Sequence, residues 1–209
     1  PFTPRGGVFA GGAIRFWSPD QCPMAPDDEG VWHYKPGARK FDKLVQSWDF
    51  TYGSLTGRSR CVGQVWGKIG PDFWLLWQVR QRMTFDEMLL AVGDATERFP
   101  DAKGKLIEGK ACGPQVIRTM RKKISGIISV TPTKSKIARA ESVAHLVRGN
   151  NVWVPHPTDG GQPWVKGFLE ELAAFPLGAT DDQIDTMSQA LSHLDTGTFK
   201  VHKQKPKGL

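Results

Sequence analysis

No uncharged apolar run in this 209-residue chain comes near the roughly 20 residues that a membrane-spanning helix needs; the longest is Phe73 to Trp77. No signal peptide opens it. Cysteine is scarce: Cys22, Cys61 and Cys112 are odd in number and show no CxxC spacing, which argues against a disulfide framework and a structural zinc site and fits a reducing cytosol. The histidines, His33, His145, His156, His193 and His202, lack ligand spacing. Acidic residues are outnumbered, 21 against 28 Lys and Arg, and the net charge of +7 favours a polyanionic partner. A phosphate-binding loop is also missing. Gly104 to Ala111 has the G-x-x-x-x-G-K skeleton, but Ala111 replaces the hydroxyl residue that would hold Mg²⁺, and Leu106-Ile107 would be stranded in an exposed loop, so ATP binding is rejected. There is no internal repeat, and the first residue is Pro1 rather than Met, as expected of a segment of a longer polypeptide.

What the chain does hold is enough apolar residue, 39%, to bury a full core. Residues 1–43 are Gly- and Pro-rich and read as an irregular arm or linker packed against a domain. Residues 44–196 form the domain, and 197–209 are a basic, flexible tail carrying Lys200, Lys203, Lys205 and Lys207. Alternation and turn residues predict strands at 44–50, 60–68 and 72–80, an antiparallel meander with Gly70-Pro71-Asp72 as its second turn. Thr84 to Glu87 reads as a capping box opening a helix with Phe85, Met88, Leu89, Val92, Ala95 and Phe99 inward. A short strand, 105–107, ends in Glu108, a helix runs over about 114–122, and 127–130 gives a fifth strand. Helices follow at 137–148 with Ile137 inward, at 164–173, and after a second capping box at Thr180 to Gln183; 152–154 is a brief strand between the first two. The expected class is α/β with a mixed five-stranded sheet.

The apolar run KLVQSWDFTYG, Lys43 to Gly53, ends in one carboxylate, Asp49, where the strand leaves the core. Taken alone, such an Asp is ordinarily a turn cap. Glu108, however, ends the fourth strand in the same way, and if the two strands are parallel neighbours both carboxylates reach one edge. Asp181, Asp182 and Asp185 begin the last helix, and at spacings of three and four that helix can present two of them on one face. Capping of the helix dipole accounts for Asp181 or Asp182 equally well, but poorly for Asp185 or Glu108. Convergent carboxylates stay ionised only around a cation, and an oxygen-only set suits Mg²⁺ or Mn²⁺. Two such ions about 4 Å apart can activate water against a phosphodiester. Lys110, Lys134, Lys136 and Arg139 lie in or beside the loops after the fourth and fifth strands, among other basic residues, and are candidates for phosphate neutralisation; any one taken singly is more often just a solvated surface group. The strand tryptophans Trp66, Trp74 and Trp77 read as core filling.

In order, SWDFTYGSLTGRSRCVGQVWG, FWLLWQVRQRMTFDEML, LIEGKACGPQVI, TPTKSKIARAESVAHLVRGNNVWVP and WVKGFLEELAAFPLGATDDQIDTMSQAL resemble the nuclease domain of the large terminase subunit of tailed bacteriophages, over about Leu44 to Leu194. The resemblance implies a ribonuclease H-like fold and a metal-dependent endonuclease cutting concatemeric double-stranded viral DNA in the host cytoplasm. It implies a packaging ATPase domain in the same full-length polypeptide, and a small terminase subunit and procapsid portal as further partners. It matches Asp49 to the first acidic motif, Glu108 to the second and the DDQID segment to the third, leaving open whether Asp182 or Asp185 is the principal ligand. Lys134 and Arg139 match a basic motif expected to face DNA. Gly109 and Thr180 depart from the family, which often has an acidic residue and a His there. A resolvase or integrase of the same fold, or a non-catalytic DNA-binding or motor-docking module, are the competing readings.

Overall fold

The computed structural model describes residues 1–51, 60–158 and 162–196; the basic tail expected at 197–209 lies outside them. In chain order the elements are β1 (Arg15–Trp17), β2 (Met24–Pro26), β3 (Trp32–Tyr34), β4 (Lys43–Asp49), β5 (Cys61–Ile69), β6 (Asp72–Gln81), α1 (Phe85–Arg98), β7 (Gly104–Glu108), α2 (Gly113–Met120), β8 (Ile127–Val130), α3 (Lys136–Arg148), β9 (Val152–Pro155), α4 (Trp164–Ala174) and α5 (Asp182–Asp195). The main sheet has seven strands in the order β1-β9-β6-β5-β4-β7-β8, not five. β4, β5 and β6 form the antiparallel meander, while β7 and β8 add in parallel on one side and β9 and β1 in parallel on the other. Residues 1–43 are accordingly more than a covering arm. They supply the edge strand β1 and the antiparallel pair β2-β3, and they bury Phe9, Ile14, Trp17, Met24 and Trp32.

Two apolar layers flank the sheet, and strand alternation assigns residues to them. In β4, Val45 joins the layer under α3, α4 and α5 while Leu44 and Trp48 face the opposite side, so Asp49 falls on the α3–α5 face. In β7, Leu106 joins the α3–α5 layer and Ile107 the α1–α2 layer, which puts Glu108 on the same face as Asp49. Trp66 is wholly buried and Trp74 nearly so, as core residues.

The first capping box forms as expected: the Thr84 side chain accepts from the Glu87 amide and the Glu87 carboxylate accepts from the Thr84 amide. Phe85 and Ile137, expected inward, are instead 38% and 45% exposed. Each lies at the first or second position of its helix, before the helix has settled onto the sheet, so the inward stripes begin at Met88 and Ala140. The second capping box does not form: the helix starts at Asp182, its N-cap Asp181 makes no side-chain capping bond, and Thr180 is engaged elsewhere.

Gly63 on β5 is where the α1–α2 layer leaves no room. A methyl group there would stand 2.2 Å from the ring of Trp48, which is 0% exposed and stacked on Phe50. Gly63→Ala is expected to cost about 1–3 kcal/mol through forced repacking, read as a lowered midpoint in denaturant unfolding.

Candidate metal centre

Parallel pairing of β4 with β7 runs through Trp48 opposite Ile107, so Asp49 and Glu108 leave the sheet as adjacent strand ends on one face. The chain reaches Glu108 and turns at once into α2, whose first residue, Gly113, packs on the Glu108 carbonyl oxygen; a Cβ there would sit 1.7 Å from that atom. Helix α5 crosses the same face from above and brings Asp182 and Asp185 to the rim, 7% and 4% exposed as residues. Its placement depends on polar contacts within the sheet. Ser47 of β4 donates to the Thr186 carbonyl at 2.8 Å, and Gln189 of α5 donates back to Ser47 and to the Trp48 carbonyl.

Toward the start of α5 a ladder of buried amides continues the anchoring. Gln64 of β5 donates to Gln78 of β6 at 2.7 Å and to the Gln183 carbonyl, and Gln78 donates to the Gln183 side chain at 2.8 Å. The chain of bonds ends on Glu171 of α4, which accepts from the Gln183 amide at 2.7 Å and from its side chain at 2.9 Å. Glu171 thereby caps the N-terminus of α5 from a different helix. Its charge is balanced by Arg80 at 3.0 Å, and the Thr180 hydroxyl donates to it at 2.8 Å while accepting from Arg80. None of this network was among the expected site residues. The signal for its sheet half was the set of polar side chains, Ser47, Gln64 and Gln78, inside strands rich in apolar residues.

Each rim carboxylate meets a different environment. Asp49 is pushed up to about 7, first by burial and then by the negative charges of Glu108, Asp185 and Asp182, with Lys136 only partly offsetting them; it has no ion pair among the described residues. Asp182 is raised by burial, against which the Arg60 amide donates to it at 3.1 Å. Asp185 is raised by burial even though Lys136 and Arg139 both pull it down. The Arg139 guanidinium spans Glu108 at 3.2 Å and Asp185 at 2.7 Å, and the Lys136 ammonium spans Asp181 at 2.6 Å and Asp185 at 2.8 Å. Burial lowers the Lys136 pKa, but its bonds to Asp181 and Asp185 outweigh that and hold the ammonium above the ordinary lysine range. Lys110 and Lys134 are exposed on loops after β7 and β8, at the same end of the sheet, with no ion pair among the described residues. Lys134 also lines a cavity of about 350 Å³ with Arg139, Ser188 and Gln189. The expected carboxylates therefore meet, Lys136 and Arg139 meet them, and Lys110 and Lys134 stand at the same sheet edge.

The donor set fits a hard divalent cation in kind: oxygen donors only, on one rim, with an uncompensated carboxylate at its centre. Among the described residues no three His, Cys, Asp or Glu side chains are yet drawn together as ligands. The carboxylates are close enough to shift one another, yet Glu108, Asp181 and Asp185 are turned toward Lys136 and Arg139 and Asp182 accepts from the Arg60 amide.

A mixed sheet with an antiparallel meander and parallel flanks, helices on both faces and acids at adjacent strand ends defines a ribonuclease H-like nuclease fold. The chain belongs to the terminase RNaseH-like domain family, whose model matches residues 46–194. The fold is similar to the large terminase nuclease of the thermophilic phage G20c with bound magnesium, with a TM-score of 0.62 at 15% identity over 89% of this chain and 96% of that one. The large terminase nuclease domain of Thermus phage P74-26 gives 0.59 at 14% identity over 90% and 95%. Against the large terminase of another thermophilic bacteriophage the TM-score is 0.52 at 14% identity, and the alignment takes in 76% of this chain but 41% of that one. A comparison with curated proteins finds no match.

Two outcomes follow. Glu171→Ala removes the partner of Arg80 and of the α5 N-terminus, and is expected to cost about 3 kcal/mol or more, as buried pairs do when one member is deleted, measured by chemical denaturation. Asp49 binds its proton more tightly folded than unfolded, so the wild-type protein in EDTA should lose stability as pH rises from about 4 through about 7. Asp49→Asn should match wild type near the bottom of that range and melt higher at pH 8; equal melting at both pH values would contradict the crowding.

Proposed function

We propose that this chain is a metal-dependent endonuclease that cuts concatemeric double-stranded viral DNA during genome packaging in the host cytoplasm, as part of a longer polypeptide with a packaging ATPase domain and with a small terminase subunit and procapsid portal as partners. The observation that carries the reading is the meeting of Asp49 and Glu108 at adjacent strand ends with Asp182 and Asp185 above them, on a rim whose central carboxyl stays partly protonated near neutral pH. Asp49 would serve two Mg²⁺ or Mn²⁺ ions, Glu108 would help hold one of them, and Asp182 and Asp185 would help hold the other. Bound there, such ions supply an activated water and charge stabilisation for the leaving oxygen of a phosphodiester.

The chain's own residues do the rest. The strand ends fix the carboxylates relative to one another, and the amide ladder and Glu171 hold α5 against their repulsion. Lys110 and Lys134, exposed beside the rim, neutralise backbone phosphates on either side of the cut, and Lys136 and Arg139 join them once they leave the carboxylates. Contacts of this kind read charge and shape rather than base identity.

One observation favours a second reading, a non-catalytic DNA-binding or motor-docking module: Lys136 and Arg139 already satisfy Glu108, Asp181 and Asp185 within the protein. Asp49→Ala separates the two. For a nuclease it should reduce Mn²⁺-dependent nicking of supercoiled plasmid by at least about 10³-fold with circular dichroism unchanged, because a shared ligand is lost. Nicking retained by the variant would refute the assignment, and branched DNA strongly preferred to linear duplex would shift it toward a resolvase.

A further inference from the structure

Lys136 and Arg139 occupy the first turn of α3, at its first and fourth residues, after the N-cap Ser135. That is an unfavourable place for cations. The N-terminus of a helix carries the positive end of the backbone dipole, and the first turn of α3 has no acidic residue to relieve it. The ion pairs account for the placement. A single guanidinium, 16% exposed, joins Glu108 at the end of β7 to Asp185 on α5, while a single ammonium joins Asp185 to Asp181. The buried Arg139 Nε has no hydrogen-bond partner among the described residues, so the terminal nitrogens, turned to the two carboxylates, are what the side chain contributes there. Asp49 is outside this arrangement.

We propose that Arg139 and Lys136 act as a displaceable internal counter-ion, holding Glu108 and Asp185 in the ligand-free protein and setting, by competition, how tightly the rim takes a divalent cation. The proposal rests on the metal-dependent reading above. Asp49, which has no ion pair among the described residues, would be the first carboxylate open to a cation, and Glu108 and Asp185 would join it on leaving the guanidinium. That releases two positive groups at the edge where Lys110 and Lys134 already stand. Metal and polyanion therefore reinforce each other, since each is favoured by the state in which Arg139 has let go. Arg139 and Lys136 are positioning residues in this account, acting through the carboxylates they hold.

Titration calorimetry with Mn²⁺, on the metal-stripped chain without DNA, tests it. Arg139→Ala should bind Mn²⁺ at least tenfold more tightly than wild type and Lys136→Met several-fold more tightly, since each substitution removes a competitor and a like charge. Affinity unchanged or weakened in both variants overturns the proposal while leaving the metal reading intact. No heat from any of the three proteins removes the metal reading and the counter-ion role together. Melting supplies a second readout: in EDTA Arg139→Ala should melt below wild type, as the loss of a purely structural arginine would also cause, but Mn²⁺ should raise its melting temperature by more than it raises that of wild type, which a structural role alone would not produce. If Arg139→Ala fails to fold, Lys136→Met, whose side chain is 48% exposed, carries the same comparison.

Discussion

Repulsion among carboxylates at one rim is the constraint on which the rest of this structure depends. Strand parity puts Asp49 and Glu108 on the same face, and α5 adds Asp182 and Asp185 to it. Like charges brought together raise one another's cost of ionisation, and three separate remedies limit that cost. Asp49 retains a proton into the neutral range, Asp182 accepts a backbone amide, and Asp185 and Glu108 share a guanidinium. A structural cap or a solvated acidic surface would need none of these.

The same repulsion explains why α5 is held as it is. Its inner face buries Ile184, Met187, Leu191 and Leu194 completely. At about 1.5–3 kcal/mol for each fully buried side chain, that burial outweighs the electrostatic push. Apolar contact fixes distance but not rotation about the helix axis, and rotation decides where Asp182 and Asp185 point. Directional bonds supply what is missing: Ser47 and Gln189 on one side, the Gln64-Gln78-Gln183 ladder and Glu171 on the other. Polar residues inside the strands thus belong to the functional site even though none faces the rim.

Much of this could be read from the sequence, and the parts that could not share a cause. The meander strands, seven to ten residues long, and the five-residue apolar strand ending in Glu108 are bounded by turn residues and so were legible, as were Asp49 and Glu108 as strand-end acids. β1, at three residues among glycines and prolines, is too short for a period to show, and β9, at four, reads as a strand without revealing that it extends the sheet; hence five expected strands against seven found. The Thr180 box failed for a different reason. A local pattern signals a cap only when nothing distant competes, and Glu171, nine residues upstream, takes both the Thr180 hydroxyl and the Gln183 amide. The particular nuclease class came from ordered motifs resembling a family, since charge and spacing alone left a docking module open.

Charge balance at the rim links the expected and the observed roles of its basic residues. Among the described residues five carboxylates, Asp49, Glu108, Asp181, Asp182 and Asp185, meet the two cations Lys136 and Arg139, a formal excess of three negative charges that repels a phosphodiester. Protonation of Asp49 removes one charge at most, and Lys110 and Lys134 lie beyond ion-pair reach. Shifting Lys136 and Arg139 onto a phosphate would leave the carboxylates more exposed to one another than before. Reading these two residues as contacts for DNA is therefore consistent with their ion pairs only if other positive charge replaces them at Glu108 and Asp185. Two divalent cations would turn the rim's formal charge slightly positive while Lys136 and Arg139 stay, and would leave a slight negative excess once both have moved; a single one leaves it negative in either case. Positive charge added at Glu108 and Asp185 therefore lowers the rim's repulsion of a polyanion whether the two basic side chains stay on the carboxylates or move onto phosphates.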